Sequence, residues 1–317
     1  MEKILNLLVL DDSQRHAFLE AAPDADQLFA PEGIASETGE SLSLSFYEQA
    51  TVILGNPPAE YLKGNRVLRL LQTRSAGVDR YLIPGILPEG AMLAGCSGAW
   101  GNSVAEHVFA MMLALMKRLP AYRDQQRGCV WKGLGPEKTV RNARVLCIGT
   151  GDLGSSFACL CKAMGAVTAG IRRDPSRPAD GVDEMFGPDA LDEQLPLADV
   201  VVLMLPRNAG SEKLIGRERL LRMKRDAILL NGGRGSAVDC EALAQVMGSG
   251  HLWGAGLEVT DPEPLPADHP LWRQERVLIT PHTGGGLKQD VWDRAAGIAL
   301  DNLRRYLAGK PLINRFL

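Results

Sequence analysis

Val145-Leu-Cys-Ile148 runs directly into Gly149-Thr-Gly151-Asp152-Leu153-Gly154. A short aliphatic run that meets a glycine-spaced turn reads as a strand entering a loop. Beyond it, Leu153, Phe157, Leu160, Cys161 and Met164 recur at helical spacing, so the unit reads strand, turn, amphipathic helix. In that setting a GxGxxG pattern acquires a physical meaning that it lacks alone. Gly149 permits the tight turn, Gly151 lets backbone approach a pyrophosphate, and Gly154 lets the helix pack closely on the strand. Amides at the helix start then face the phosphates of a dinucleotide. The expected contacts are Gly149, Gly151, Asp152, Leu153 and Gly154. The plain alternative is an ordinary α/β turn in a chain with 34 glycines.

The next strand, Val167–Ile171, bears on which dinucleotide is bound. An acid at its end would hydrogen-bond the ribose 2′-hydroxyl of NAD, whereas arginine accommodates the 2′-phosphate of NADP. The sequence there is Gly170-Ile-Arg172-Arg173-Asp174-Pro175. Arg172 falls where the acid is expected and Arg173 lies beside it, so NADP is expected in preference to NAD. The alternative is a pair of solvated arginines, with Asp174 reading the ribose of NAD.

Outward from this unit, short β-rich runs alternate with helical patterns, which predicts parallel sheets of the α/β class. The later strands are expected at Val200–Leu205, Ala227–Leu230, Gly254–Val259 and Val277–Thr280. Earlier ones are expected at Ile4–Leu10, Thr51–Leu54, Leu68–Thr73 and Met92–Ala94. Val104–Leu119 reads as a helix apolar nearly all round, suited to a place between domains or subunits. A final helix carries Val291, Ala295, Ile298, Asn302 and Tyr306 on one face.

A length of 317 residues suits about two domains, and 45% hydrophobic with 23% charged residues is a globular composition. The formal net charge of −3 gives no electrostatic reason for a nucleic-acid or anionic-membrane partner. The six cysteines form neither paired CxxC motifs nor a dense framework, so no metal site is expected. Cys159 and Cys161 read as core thiols. The apolar start of the chain is too short for a signal peptide, and no apolar run is long enough to span a membrane, so the expected location is the cytoplasm.

Further stretches follow in order: Ser75-Ala-Gly-Val-Asp79, Val104-Ala-Glu-His107, Ala198-Asp-Val-Val201 with Leu205-Pro206, Asn231-Gly-Gly-Arg234-Gly-Ser-Ala-Val-Asp239, Gly254-Ala-Gly-Leu-Glu258-Val-Thr-Asp-Pro-Glu263-Pro-Leu265, and Thr280-Pro-His282-Thr-Gly-Gly285. This ordered set resembles the D-2-hydroxyacid dehydrogenase family, over most of the chain from Leu68 to Tyr306. The resemblance implies a Rossmann cofactor domain, residues 101–286, inserted into a flavodoxin-like substrate domain formed by residues 1–100 and 287–317. It also implies substrate binding in the cleft between the two, and a twofold homodimer.

By the same resemblance, Arg234 anchors the substrate and polarises its carbonyl, a task suited to a planar, permanently charged fork. His282 is the implied proton donor, and Glu263 the group that hydrogen-bonds and charge-stabilises the protonated imidazole. Backbone amides at Ala76 and Gly77 are the implied carboxylate site. Ser103, Leu205, Pro206, Ser211, Gly232 and His282 are implied cofactor contacts. Glu258 stands where family members usually carry Asp beside the nicotinamide carboxamide, and its extra methylene alters that contact. His107 reads as structural. Trp100, Trp131 and Met92 are candidates for the side-chain pocket.

The function expected is reduction of small 2-oxo acids, glyoxylate- or hydroxypyruvate-like, to D-2-hydroxy acids by NADPH. The alternatives are oxidation of another small anion such as phosphite on the same fold, or a nucleotide-sensing, corepressor-like interaction protein.

Overall fold

The computed structural model describes residues 1–30, 42–286 and 289–317. The chain divides into two compact units, Met1–Trp100 with Leu287–Leu317, and Gly101–Gly286. Its helices are α1 (Asp12–Ala21), α2 (Leu44–Gln49), α3 (Gly101–Met116), α4 (Leu119–Arg127), α5 (Asp152–Ala163), α6 (Leu191–Gln194), α7 (Arg217–Arg222), α8 (Cys240–Gly248) and α9 (Gln289–Leu307), with short 3-10 turns between some of them.

The first unit holds strands β1 (Lys3–Asn6), β2 (Asp26–Phe29), β3 (Val52–Leu54), β4 (Leu70–Gln72) and β5 (Met92–Ala94). They pair in parallel in the order β2-β1-β3-β4-β5, the order of flavodoxin-like doubly wound sheets. Ile4, Val52, Leu54 and Leu70 pack against Phe18 of α1 and against Ala296, Ala299 and Leu303 of α9. Leu5, Ile53, Leu71 and Leu93 pack with Tyr47 and Tyr81 in a second core. Because alternate strand residues enter different cores, each strand reads as a continuous apolar run. Asn302 anchors α9 to the sheet: fully buried, it donates to Gln72 Oε1 at 2.6 Å and exchanges hydrogen bonds with Ile313. The outer edge of β5 is paired by the tail, with Phe316 N donating to Leu93 O at 2.7 Å and Gly95 N to Asn314 O at 3.0 Å. That pairing closes an otherwise open strand edge.

The second unit holds β6 (Arg144–Ile148), β7 (Val167–Ile171), β8 (Glu184–Phe186), β9 (Val200–Leu203), β10 (Ile228–Asn231), β11 (Gly254–Leu257) and β12 (Val277–Ile279). The parallel order β12-β11-β10-β9-β6-β7-β8 is that of a Rossmann sheet with one strand added, and its direction of winding reverses between β6 and β9. In sheets of this kind ligands bind outside the carboxyl ends of the strands at that reversal.

Several expectations change. The first strand stops at Asn6, whose side-chain oxygen accepts from Leu8 N at 3.1 Å; Leu7 N still donates to Leu54 O at 2.7 Å, and Leu8 and Leu10 stay buried beyond the strand's end. The apolar helix runs Gly101–Met116, not to Leu119, because Arg118 adopts a left-handed φ of 55° before Pro120 helps start α4. Its own unit covers much of it: Ala105, Val108, Met112, Leu115 and Met116 lie in the core with Phe157 and Ile228. β2 and β8 were not anticipated; both are edge strands, and neither is fully apolar. Cys161 is a core thiol but Cys159, two residues on from Phe157, falls on the far side of α5 and is exposed; Met164 shares the Phe157 side but is exposed at the helix's C-cap. Burial pushes the Cys96 and Cys147 thiols up to about 12.

Candidate active site

Strand ends of the second unit bring together most of the predicted contacts. Gly149 has a φ of 92°, and a Cβ there would meet Met204 O at 2.6 Å. Gly154 lies still closer to its neighbour, since a Cβ would stand 1.9 Å from Gly149 O. Gly151 caps α5 and faces open space, with nothing within 4 Å of a built Cβ. The loop is therefore tight on its inner side and open on its outer side, as a backbone cradle for phosphates requires. Asp152 and Leu153 open α5 behind it, and both are partly buried.

At the end of β7, Arg172 is partly buried and donates from Nη1 to Arg177 O at 3.1 Å and Pro178 O at 3.2 Å, while Arg173 is exposed. Asp174 accepts from Ser176 Oγ at 2.6 Å, and that bond, ahead of the nearby arginines, holds its carboxyl below the usual range. After β9, Leu205 is partly buried and Pro206 exposed; Ser211 is buried and bonds Pro206 O and Asn208, shaping this loop from within.

After β10 comes Gly232-Gly233-Arg234-Gly235. A Cβ at Gly232 would meet Val108, at Gly233 the Leu205 backbone, and at Gly235 Thr260 O at 1.8 Å. These close approaches press the loop onto its neighbours and leave Arg234 as its one long side chain. Asn231 braces it, donating to Arg234 O at 2.9 Å and accepting from Gly233 N at 3.2 Å. Arg234 is partly buried and donates from Nη1 to Gly233 O.

His282 follows β12 in a left-handed conformation, φ 53°, and its Nδ1 lies 2.6 Å from Glu263 Oε1. Both side chains are about half exposed, at 52% and 45%. With Nδ1 committed to the carboxylate, Nε2 is the ring atom left to exchange a proton with a ligand. Glu258, by contrast, is buried: its carboxylate accepts from Thr280 Oγ1 and Gly284 N and lies 3.1 Å from His107 Nε2. Ser103, at the start of α3, donates to Gly285 O at 2.7 Å. Thr280, His107 and Asn231 are thus parts of the site that motif reading did not assign. Their sequence signal is weak, because a polar residue beside a strand end or on an apolar helix reads as structural.

In the first unit, Ser75-Ala76-Gly77 forms a tied turn: Thr73 Oγ1 donates to Ser75 O at 2.8 Å, and Ser75 Oγ donates to Gly77 O at 2.6 Å. Among the described residues, the amides of Ala76 and Gly77 have no acceptor. Trp100 donates to Arg74 O at 2.9 Å and packs edge-on against Trp292, and Met92 packs with the sheet core. Trp131 is fully exposed and lines an open surface hollow with Tyr122 and Val130, among residues assigned no part in the site. Among the described residues, no group of three or more metal-ligating side chains is found, and no helix is long and apolar enough to cross a membrane.

Residues 109–284 match the model of the D-isomer specific 2-hydroxyacid dehydrogenase NAD binding domain. A glyoxylate/hydroxypyruvate reductase B from Pectobacterium atrosepticum is 31% identical over 262 residues, covering 81% of this chain and 81% of that relative. A crystal structure of a D-isomer specific 2-hydroxyacid dehydrogenase family protein from Aeromonas salmonicida superimposes with a TM-score of 0.82 at 30% identity, covering 100% of this chain and 99% of the other. A D-isomer specific 2-hydroxyacid dehydrogenase from Xanthobacter autotrophicus, solved with NADPH and MES, gives 0.80 at 28% identity, covering 100% and 98%. The chain belongs to the D-isomer specific 2-hydroxyacid dehydrogenase family. It is an NAD(P)-dependent oxidoreductase, and its second unit carries the nucleotide-binding fold.

Proposed function

We propose that this enzyme reduces small 2-oxo acids to D-2-hydroxy acids with NADPH as the preferred reductant. The observation that carries the reading is the 2.6 Å contact between His282 Nδ1 and Glu263 Oε1, which holds an imidazole with its other nitrogen uncommitted. The bound nicotinamide supplies the hydride. The glycine row 149–154 holds the pyrophosphate, with Arg172 and Arg173 at the adenosine ribose and Leu205, Pro206 and Gly232 against the rest of the cofactor. Arg234 pairs with the substrate carboxylate and draws electron density from the carbonyl. The amides of Ala76 and Gly77 take the other carboxylate oxygen. As the alkoxide forms, His282 delivers the proton from Nε2, and Glu263 stabilises the imidazolium and fixes the ring.

The Pectobacterium relative's name points to glyoxylate- and hydroxypyruvate-like substrates, and the NADPH bound in the Xanthobacter structure favours the phosphorylated cofactor. The twofold dimer belongs to the same proposal. Leu119, Val130 and Trp131 expose large apolar side chains beyond α3, and sedimentation is expected to give twice the chain mass. The test of function is a panel of oxo acids run with NADPH and with NADH, following loss of the reduced-nicotinamide absorbance, with His282→Gln as the control. Cofactor binding without turnover on any oxo acid would favour a sensing role instead.

A further inference from the structure

The turn that carries His282 is held by side chains that the chemistry above does not use. Thr280 donates its hydroxyl proton to Glu258 Oε2, so the Thr280 oxygen remains an acceptor. His107 Nε2 lies 2.9 Å from that oxygen and 3.1 Å from Glu258 Oε2. Both neighbours accept, so Nε2 carries a proton and donates to them whatever the charge on the ring. Glu258 Oε1 accepts from the Gly284 amide, and the Glu258 carbonyl accepts from the His282 amide at 3.1 Å. One residue therefore ties down the proton donor itself and the positions two before and two after it.

Ser103, one helical turn ahead of His107 on α3, adds bonds to Gly284 O at 3.2 Å and Gly285 O at 2.7 Å. The packing leaves little slack: a Cβ at Gly284 would stand 3.0 Å from Glu258 Oε1 and 3.1 Å from His107 Cδ2. His282 is itself left-handed, a conformation that a non-glycine residue keeps only where its surroundings over-determine it. The Glu258 side chain is only 3% exposed, and a carboxylate so buried needs several donors, which this turn and α3 provide.

We propose that His107 and Glu258 are positioning residues for His282, a pair that fixes the 280–285 turn and so aims the imidazole. The proposal rests on reading His282 as the proton donor. It reassigns Glu258 from the nicotinamide carboxamide to this turn, the longer side chain being what lets one carboxylate reach the Gly284 amide, Thr280 and His107 together.

The test compares His107→Leu, His107→Gln and Thr280→Val with wild type and His282→Gln. The readouts are kcat, KM for the oxo acid, NADPH Kd by fluorescence, and the melting temperature. His107→Leu removes one hydrogen bond to a charged group, and kcat is expected to fall about tenfold or more. The NADPH Kd is expected to hold within about twofold, because no direct cofactor contact is lost. Glutamine places its amide nitrogen near the position of the ring Nε2, so His107→Gln restores most of the rate. Thr280→Val lowers kcat in the same manner, and it carries the test if His107→Leu does not fold. Wild-type kcat in folded His107→Leu, with His282→Gln inactive, overturns the proposal while leaving the donor assignment standing. Lower melting temperatures at unchanged kcat, or a rise in NADPH Kd in place of the fall in kcat, overturn it equally. An active His282→Gln removes the donor reading and this one with it.

Discussion

Replacing Gly154 by alanine puts a methyl group 1.9 Å from Gly149 O and 2.9 Å from Gly149 C. Real Cβ contacts do not fall below 3.0 Å, so the helix start and the carbonyl must separate by about an ångström. The obstacle is backbone, and no rotamer relieves it. Gly149 cannot yield either, because its φ is 92° and its own Cβ position lies 2.6 Å from Met204 O. The displacement therefore falls on the first turn of α5, whose amides are proposed to hold the pyrophosphate. Overpacking of this kind costs about 1–3 kcal/mol, and a backbone obstacle puts this site at the upper end. For a unit of this size that corresponds to a melting temperature lower by roughly 6–12 °C. A shift of about an ångström in aligned donors also costs on the order of a hundredfold in what they bind or stabilise.

Gly151→Ala separates the two effects. A Cβ at Gly151 meets nothing within 4 Å, and its φ of −82° suits alanine. Its melting temperature is expected to stay within about a degree of wild type, while the new methyl intrudes where phosphate approaches and weakens NADPH about tenfold or more. The assay is fluorescence titration of NADPH beside differential scanning on both variants. Wild-type affinity in Gly151→Ala would show that the glycine row is not the phosphate cradle. An unshifted melting temperature in Gly154→Ala would refute the packing argument.

Arg172 must exchange two backbone carbonyl partners for the 2′-phosphate, so the expected preference for NADPH over NADH in kcat/KM is about tenfold. Arg172→Asp is expected to reverse it; a wild-type preference for NADH would assign the ribose to Asp174. Glu263→Gln takes away the carboxylate 2.6 Å from His282 Nδ1, so on the proposed mechanism kcat for oxo-acid reduction is expected to fall about tenfold or more with the NADPH Kd little changed. A wild-type kcat in this variant would detach Glu263 from the proton transfer. Away from the site, Asp183 is held down to about 2, first by Lys162 at 2.5 Å and then by the Thr168 amide. Its folded value lies below the ordinary aspartate value of 3.8, so the stabilisation is present above that value and is lost as pH falls toward 2. Asp183→Asn is expected to lower the urea midpoint at pH 7, with the gap to wild type closing near pH 2.

The fold and the site differ in how far local pattern carried them. Buried parallel strands are short aliphatic runs with turns at their ends, and Val167–Ile171 and Met92–Ala94 have the bounds read from sequence. β2 and β8 escaped because an edge strand pairs on one side only and can keep a polar composition, as Asp26-Gln-Leu-Phe29 does. Arg118 escaped for another reason: nothing in Met-Lys-Arg-Leu-Pro requires a left-handed residue, so the apolar pattern ran one element into the next.

The glycine row was legible because its chemistry is local: a turn, a close approach and a helix start lie within a few residues, and each leaves a glycine where a Cβ would collide. Arg234 and His282 are singled out in the sequence only as parts of an ordered set of motifs, since neither residue has a local environment that marks it, and their roles stand as proposals. The turn around His282 could not be read at all. His107 and Ser103 come from α3, Glu258 follows β11 and Thr280 follows β12, so their contacts exist only once the sheet has brought three chain segments to one edge. On sequence alone, Glu258 looked like a misfit, an acid one methylene too long for its expected partner. In the structure that length lets a buried carboxylate reach donors from both sides of the imidazole. Judged by its hydrogen bonds, Glu258 belongs to the 280–285 turn that carries His282.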